Sequence, residues 1–491
     1  MAEKYIIAVD QSTQGTKAML LDGSGRIVGR ADIPHEQIVN GKGWVSHDPE
    51  EIYANTVKVV CGLLDSLNAD KSQIAGLGIS NQRETSLIWD KATGKPLANA
   101  VVWQCSRAAD VCAAIEATGI ADTVFKKTGL RLSPYFPASK FLWLLQNVPG
   151  AAELAASHGV CYGTIDTWLV YKLTGGASYK TDYSNASRTQ LFNIFDLAWD
   201  EELCAAFGIC AEDLAEVCPS DDCFGYTTLE GYFDAPIPIH GVLGDSHAAL
   251  LGQGCLRPGM IKSTYGTGSS IMMNIGKTPV LSQHGVVTSL AWGLGGAVDY
   301  VLEGNINYTG AVISWLKDDV RLIDDPNDTQ NLCFNALADD GLYLVPAFTG
   351  LGAPYWNSSA KGILSGITRT TGKNEIVRAG VECIAYQIAD VVYAMSDDAG
   401  VDIKELRVDG GPTKNEYLMQ FQSNILDADV LVPDSEALSG MGAAFAAGLG
   451  LGIYDDKVFE TLKRKRYTCR MEEEKRSRKY AGWKEAVGKI L

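Results

Sequence analysis

The feature that most constrains this fold is a motif of strand, polar turn and strand that occurs twice. Near the start of the chain, apolar residues 6–9 and 18–21 flank the small polar residues 10–17. Near the middle, residues 262–273 repeat the pattern around a glycine- and threonine-rich turn. A pattern that recurs once in each half predicts an internal duplication with a cleft between the halves.

The length of 491 residues predicts two or three domains rather than one hydrophobic core. After the first hairpin, Asp48 and Pro49 predict a helix start with Glu51 closing a capping box, and residues 74–80 predict the next strand. This alternation indicates an α/β fold. With the boundary near residues 252–257, the predicted segments are residues 1–253, residues 254–455 and a charged, solvated helical tail, residues 456–491.

The charge balance argues against several classes of partner. The 59 acidic residues outnumber the 42 Lys and Arg, and a formal charge of -17 disfavours nucleic acid or an anionic membrane as the main partner. The uncharged residues 437–454 contain five glycines and predict a buried helix capped by Ser439, not a membrane span. Twelve cysteines without zinc-site spacing favour reduced thiols, so we expect a cytoplasmic protein.

The two turns indicate a phosphate site, because small residues leave backbone N–H groups accessible and add hydroxyls. An ordinary hairpin turn is the alternative for either one alone. A third glycine turn, residues 408–415, could form the floor of an adenine pocket or be a plain strand-to-helix loop. Asp10 and Asp245 each end an apolar strand, where one could hold magnesium and the other accept a proton. The spacing leaves their roles open, and capping or turn formation is the alternative.

Residues 81–85 suggest a site for a polyol. Arg83 and Glu84 place hydrogen-bond donors beside acceptors, which suits vicinal hydroxyls because each hydroxyl both donates and accepts. Trp103 and Tyr135 would supply an aromatic wall for the C–H face of the polyol. Two plainer interpretations stay open: a surface salt bridge for the charged pair, and core positions for the two aromatic residues.

Longer stretches of the chain resemble the FGGY carbohydrate kinases, and among them the glycerol kinases. The resemblance is carried by residues 43–49, 79–85, 102–104, 182–188 and 346–356, and by two stretches similar to the family signatures, 135–143 and 362–382, with Gly380 a departure. Only the tail, residues 456–491, lies outside the resemblance. The resemblance implies an actin-like ATPase fold, in which two ribonuclease H-like domains close on ATP and a polyol.

The resemblance also implies roles for individual residues. Asp245 is the expected general base, and Asp10 the expected ligand of Mg²⁺. The residues expected to line the nucleotide are Thr13, Gln14, Lys17, Gly266, Thr267, Gly310, Ser314, Gly411 and Asn415. The residues expected to hold the acceptor are Arg83, Glu84, Trp103, Tyr135, Asp245, Ser246 and Ser270.

Two acceptor-side positions depart from the glycerol kinases, which have Gln and Phe where this chain has Ser246 and Ser270. The missing apolar wall removes about 1–3 kcal/mol of contact with a small acceptor and opens space for a larger one. We therefore predict ATP-dependent phosphorylation of a terminal hydroxyl of glycerol, and as the alternative a four- or five-carbon polyol or ketose such as erythritol, xylitol or xylulose. His247 is interpreted as a core residue rather than a ligand of an extra hydroxyl.

Two other classes of function are weaker. A nucleotide-driven module akin to actin or chaperone ATPases would share the hairpins but would not need Arg83 and Glu84. A regulator built on an inactive kinase fold is disfavoured by the intact Asp10 and Asp245. We expect a small-molecule polyol or sugar as the partner, no nucleic acid and no membrane, and, by analogy, a homodimer or homotetramer.

Overall fold

Two mixed β-sheets whose five core strands share the same order and directions organise the chain. In the computed structural model, which describes residues 4–337 and 341–491, each sheet begins with an antiparallel meander. Two parallel strands follow beside the first strand of the meander, and an antiparallel strand closes the edge. The second sheet has one additional strand beyond its meander. The predicted duplication is confirmed, and it is the one expected of two ribonuclease H-like units.

Hydrogen bonding between neighbouring strands sets their spatial order. The first sheet runs through Cys223–Thr227, Ile237–Gly244, Ile74–Asn81, Tyr5–Gln11, Gly15–Leu21 and Ile27–Pro34. The second runs through Val287–Leu294, Ala297–Ile306, Ser269–Gly276, Ile261–Tyr265, Glu405–Asp409, Asp429–Pro433 and Arg464–Tyr467. A third runs through Ile38–Val39, Val45–His47, Ala100–Val101, Ser86–Asp90 and Val160–Thr164. The remaining pairs are Lys180–Asp182 with Glu216–Cys218, Phe192–Asn193 with Ala198–Trp199, and Tyr343–Val345 with Ile363–Ser365.

Helices cover the sheets and fill the space between them. The α-helices are Pro49–Ser66, Ala109–Glu116, Ala121–Thr128, Pro137–Asn147, Ala151–Ala156, Ile165–Leu173, Tyr183–Ala186, Glu201–Ala206, Asp245–Gly252, Gly310–Ser314, Asp328–Phe334, Lys373–Ala399, Glu416–Leu426, Leu438–Gly450 and Glu473–Gly488. Short 3-10 turns occupy Lys71–Gln73, Ser106–Ala108, Ala211–Asp213, Gly411–Lys414 and Asp456–Glu460, and a π-turn occupies Trp315–Asp319. Within the described ranges, no helix combines the length and the apolar character needed to cross a bilayer.

Two closely packed helices link the sheets. Leu438–Gly450 packs on the first sheet and against Asp245–Gly252, which also contacts the second sheet. At the crossing, a Cβ on Gly442 would overlap the carbonyl of Ala248, so glycine permits the close approach of the two helices. The buried helix predicted within residues 437–454 is confirmed, but Ser439 lies inside it rather than capping it.

Two predictions near the first hairpin need correction. The strands Tyr5–Gln11 and Gly15–Leu21 leave only residues 12–14 for the turn, because both strands continue pairing beyond their apolar cores. Asp48 caps the helix Pro49–Ser66 as predicted. However, the Glu51 carboxylate accepts from the Glu36 amide at 3.2 Å instead of closing a capping box.

The charged C-terminal residues are not uniformly helical. Residues 464–467 form a strand that pairs with Asp429–Pro433, so the helical prediction is wrong there. The helix Glu473–Gly488 is present, and its Trp483 is buried against the core of the second sheet. Trp483 Nε1 also donates to Asp390 at 2.7 Å. This end of the chain completes the second sheet and its core.

Candidate active site

The two predicted turns are fixed by different neighbours. In the first turn, residues 12–14, Thr13 Oγ1 accepts from Trp103 Nε1 at 2.9 Å. In the second turn, residues 266–268, the Gly266 carbonyl accepts from the Gly310 amide at 2.9 Å. The first turn therefore adjoins the predicted acceptor side, and the second adjoins the helix Gly310–Ser314.

A cavity of about 390 Å³ lies beside the second turn. Four of the residues predicted to line the nucleotide border it: Gly310, Ser314, Gly411 and Asn415. Apolar residues complete part of its wall: Ile313, Val381, Ile384 and Leu418. Such a mixed lining of apolar side chains and a few polar groups is typical of ligand pockets. The remaining predicted residues lie on the two turns or beside them: Thr13, Gln14, Lys17, Gly266 and Thr267.

The third glycine turn approaches the second one closely. Gly410 has a φ of 97°, and a Cβ there would overlap the Tyr265 carbonyl. Glycine is therefore required to bring residues 410–415 beside the strand that leads into the second turn. Asn415 caps the helix Glu416–Leu426 by accepting from the Leu418 amide at 3.0 Å.

Asp10 lies near the end of the central strand of the first sheet and is only 6% exposed. One carboxylate oxygen lies 3.5 Å from Lys17 Nζ, on the directly paired strand position. The other oxygen accepts from Ser80 Oγ at 3.2 Å. Asp10 is thus a fixed, nearly buried carboxylate next to the first turn.

Asp245 begins the helix Asp245–Gly252, directly after a strand of the first sheet. Its Oδ1 accepts from the Ser246 amide at 2.6 Å and lies 3.2 Å from Arg83 Nε. The side chain is 37% exposed, which leaves it accessible from the cleft. The protein around the carboxylate excludes water, which raises the pKa of Asp245, whereas the positive charge of Arg83 lowers it. A carboxylate with a raised pKa is better matched to accept a proton near neutral pH.

Four ion-paired residues beside Asp245 form what we call the charge cluster: Arg83, Glu84, Arg188 and Glu303. Arg83 donates to both oxygens of Glu303, at 2.7 and 3.0 Å. Arg188 lies 2.7 Å from Glu303 and donates to Glu84 at 2.6 Å. All four side chains are at most 6% exposed. The Arg83–Glu84 pair is therefore not a surface salt bridge.

The ion pairs of the charge cluster keep Glu303 and Arg83 ionised. Burial alone would raise the pKa of Glu303, but Arg188 and Arg83 hold it well below its usual range. Burial alone would lower the pKa of Arg83, but Glu303, Glu84 and Asp245 raise it. Glu84 also has a φ of 59°, a left-handed conformation that non-glycine residues adopt rarely.

Trp103 and Tyr135 are half-buried, and their ring centroids lie 5.6 Å apart in an edge-on arrangement. Lys140, from the helix Pro137–Asn147, is fully buried and donates to the Tyr135 carbonyl. Burial lowers the pKa of Lys140 to about 7. A buried cation thus anchors the backbone of one of the predicted acceptor residues.

Ser246 and Ser270, which we call the serine pair, meet at 3.3 Å between their hydroxyls. Ser270 is backed by Lys262, whose Nζ lies 3.4 Å from Ser270 Oγ and 3.2 Å from Thr264 Oγ1. Lys262 is fully buried, and burial lowers its pKa. His247 is also fully buried, with Nε2 3.4 Å from Ser289 Oγ.

The structure brings four further residues to this site that the sequence did not single out: Glu303, Arg188, Lys262 and Lys140. Lys262 had a signal, because it is the one charged residue of the strand Ile261–Tyr265, and Glu303 had one because it directly follows the buried apolar residues Val301 and Leu302. Arg188 and Lys140 lie inside stretches that carry the family resemblance. Their partners could not be predicted, since Arg83 and Glu303 lie 220 residues apart.

Comparisons with known proteins agree along the whole chain. The FGGY family of carbohydrate kinases matches through its N-terminal domain over residues 5–252 and its C-terminal domain over residues 261–451. A glycerol kinase of Listeria monocytogenes is 46% identical over 99% of both chains. The crystal structure of Plasmodium falciparum glycerol kinase with ADP has a TM-score of 0.93 and 35% identity, covering 99% of this chain and 98% of that one. A xylulose kinase from Lactobacillus acidophilus, 22% identical with a TM-score of 0.87 over 99% and 97%, shares the fold.

Proposed function

The chain belongs to the FGGY family of carbohydrate kinases, and on this premise we propose that it transfers the γ-phosphoryl group of ATP to a terminal hydroxyl of glycerol. The observation that carries the proposal is full-length similarity to glycerol kinases, combined with Asp245 beside a buried charge cluster. The same similarity favours glycerol over the four- or five-carbon polyol or ketose that the serine pair suggested.

We propose that ATP binds with its adenine in the cavity of about 390 Å³ and its phosphates against the two turns. The position of the cavity beside the second turn supports this placement, because Gly310 contributes to both. Thr267 and Thr13 would offer hydroxyls to the phosphates, and Lys17 a positive charge. Residues 254–455 thus supply most of the nucleotide side, and residues 1–253 supply most of the acceptor side.

We propose that the acceptor lies between Asp245, the charge cluster and the aromatic pair Trp103 and Tyr135. Arg83 Nε is buried and lies 3.2 Å from Asp245 Oδ1, which supports a role of Arg83 in orienting that carboxylate toward the acceptor. Asp245 accepts the proton of the terminal hydroxyl while that oxygen attacks the γ-phosphorus. The bond from the γ-phosphorus to the bridging oxygen breaks, which yields glycerol 3-phosphate, ADP and a proton.

Asp10 is the residue that we propose for Mg²⁺. A carboxylate with one hydroxyl partner and one cation at 3.5 Å keeps oxygen lone pairs available, which fits a cation that binds through one or two carboxylates plus phosphate oxygens. When bound, the ion would neutralise charge on the phosphates. Removal of divalent cations by a chelator, followed by assays with added Mg²⁺, tests this assignment.

Two measurements test the proposed function. Purified protein with ATP and Mg²⁺ should release ADP only when glycerol is added, and mass spectrometry should detect glycerol 3-phosphate in an equal amount. ADP release that does not depend on any polyol would instead support an ATPase module. Light scattering after size exclusion tests the proposed homodimer or homotetramer, which rests on family resemblance alone.

A further inference from the structure

Glu303 is a buried carboxylate whose charge is not balanced by any residue of its own strand. It lies inside the strand Ala297–Ile306, directly after the apolar residues Val301 and Leu302, and its side chain is completely buried. A buried carboxylate is costly unless it is paired and hydrogen-bonded. In this site the pairing is complete, because Arg83 donates to both of its oxygens and Arg188 lies 2.7 Å from one of them.

Through these two arginines, Glu303 reaches both acidic groups of the acceptor side. Arg188 donates to Glu84 at 2.6 Å, and Arg83 Nε lies 3.2 Å from Asp245. Glu303 is therefore the central anion of a continuous chain of charges that runs from Glu84 to Asp245. If it were neutral, two buried guanidinium groups would compete for Glu84 and Asp245.

Glu303 also lies in a different half of the chain from the residues with which it pairs. Arg83, Glu84, Arg188 and Asp245 all precede residue 253, whereas Glu303 belongs to the second sheet. It pairs directly with Met272, on the strand that begins just after the second turn. Among the ion pairs of the described residues, Glu303 is the acid from the second sheet that contacts Arg83 or Arg188.

We propose that Glu303 is a positioning residue that couples the acceptor side of the site to the nucleotide-binding half. The inference rests on the proposed function, since it assigns Arg83 to the acceptor. Glu303 holds Arg83 and Arg188 in the geometry that the acceptor needs only while the two halves are together. Binding of nucleotide and binding of acceptor should consequently reinforce each other, and the coupling should be reciprocal.

The test compares wild-type protein with Glu303→Gln, which keeps the shape and removes the charge. We expect KM for glycerol to rise about 30-fold or more, as when one partner of a buried charge pair is lost. KM for ATP, measured at saturating glycerol, should rise as well, because the coupling is reciprocal. The ratio of glycerol Kd without and with a non-hydrolysable ATP analogue, typically about 5- to 150-fold for coupled sites, should fall toward 1.

Asp390→Asn is the matched control, because Asp390 is another buried carboxylate, held by Tyr355, Tyr480 and Trp483 outside the charge cluster. Its substitution should lower the melting temperature while leaving both KM values and the Kd ratio near wild type. If Glu303→Gln fails to fold, Glu303→Asp carries the same test, since it keeps the charge but shortens the reach.

Unchanged glycerol KM and an unchanged Kd ratio in a folded Glu303 variant would overturn the inference. Equal changes in the Glu303 and Asp390 variants would also overturn it, because they would show a purely structural role. These outcomes differ from failure of the proposed function, in which the wild-type protein itself would not phosphorylate glycerol. If another polyol proved to be the acceptor, the same readouts would be taken with that polyol.

Discussion

The charge cluster and the serine pair both adjoin Asp245, but they are built in opposite ways. In the cluster, Arg83, Glu84, Arg188 and Glu303 are almost fully buried and joined by contacts of 2.6–3.0 Å. The serine pair consists of two half-buried hydroxyls with a longer contact of 3.3 Å. Thus one side of the site is buried and charged, and the other consists of small, half-buried hydroxyl side chains.

This difference indicates that the charge cluster positions the substrate and that the serine pair limits which acceptors fit. A buried network of charges holds its groups in a fixed geometry before the substrate arrives, which favours a reaction that depends on positioning. Small hydroxyl side chains give little contact energy, so they discriminate weakly between acceptors of different length. We therefore expect substitutions in the cluster to weaken the positioning of every acceptor, and substitutions in the serine pair to affect the choice among acceptors.

The largest effect is expected at Asp245, where the two regions meet. Asp245→Asn removes the proton acceptor while keeping the size of the side chain, so kcat should fall about 10²- to 10⁴-fold. Calorimetry should show glycerol binding much less affected. Ser246→Ala is the control, because it changes the next residue and keeps the carboxylate. Retention of more than about a tenth of wild-type kcat would contradict general-base catalysis by Asp245.

Larger side chains in place of the serine pair test whether this side of the site sets the preference among acceptors. The double variant Ser246→Gln with Ser270→Phe fills the space beside the two serines with larger side chains and adds apolar contact. The ratio of kcat/KM for glycerol to that for erythritol should rise about 10- to 200-fold. The control, Ser246→Ala with Ser270→Ala, removes the hydroxyls without filling the space and should shift the ratio much less. An unchanged ratio in the first variant would show that this side of the site does not contact the acceptor.

The pH dependence of the reaction tests whether burial raises the pKa of Asp245 despite the nearby Arg83. The base must be deprotonated to act, so kcat/KM should fall about tenfold per pH unit below its pKa. Because burial raises the pKa of Asp245 above 3.8, this decline should begin at a higher pH than for an ordinary aspartate. Asp245→Asn should lose the acid limb. A wild-type profile that stays flat down to about pH 4 would contradict the raised pKa.

The smallest effect is expected at Lys140, which has no predicted contact with the acceptor and donates to the carbonyl of Tyr135. Lys140→Met removes the donor to the Tyr135 carbonyl, so KM for glycerol should rise about 2- to 10-fold with a smaller change in kcat. Since the pKa of Lys140 is about 7, the wild-type KM should also rise above that pH, and the Met variant should lack this rise. Equal KM values for wild type and variant across the pH range would exclude this role.

Much of the fold could be predicted because its signals are local. The two turns, the strand Ile74–Asn81 and the buried helix Leu438–Gly450 each have a composition that identifies them within about ten residues. The prediction of secondary structure was wrong where a segment's conformation depends on pairing with a distant strand. Residues 464–467 form a strand because Asp429–Pro433 offers an open edge, which a charged sequence does not reveal.

The site was predictable in its chemistry but not in its connections. Arg83 and Glu84 were recognised as donors and acceptors side by side, yet they do not pair mainly with each other. Their principal partners, Glu303 and Arg188, come from distant positions that only folding brings together. The contact of Lys262 with Ser270 is local, since both lie on the paired strands of the predicted second hairpin, but it depends on the exact strand register, which the sequence pattern did not specify.

The most direct test is the specificity of the wild-type protein across glycerol, erythritol, threitol, ribitol, xylitol, xylulose and ribulose, each scored as kcat/KM from ADP release with saturating ATP and Mg²⁺. We predict that glycerol exceeds every longer acceptor, because the charge cluster and the aromatic pair determine recognition despite the small serine pair. A higher kcat/KM for any four- or five-carbon acceptor would contradict that prediction and would assign the choice of substrate to Ser246 and Ser270.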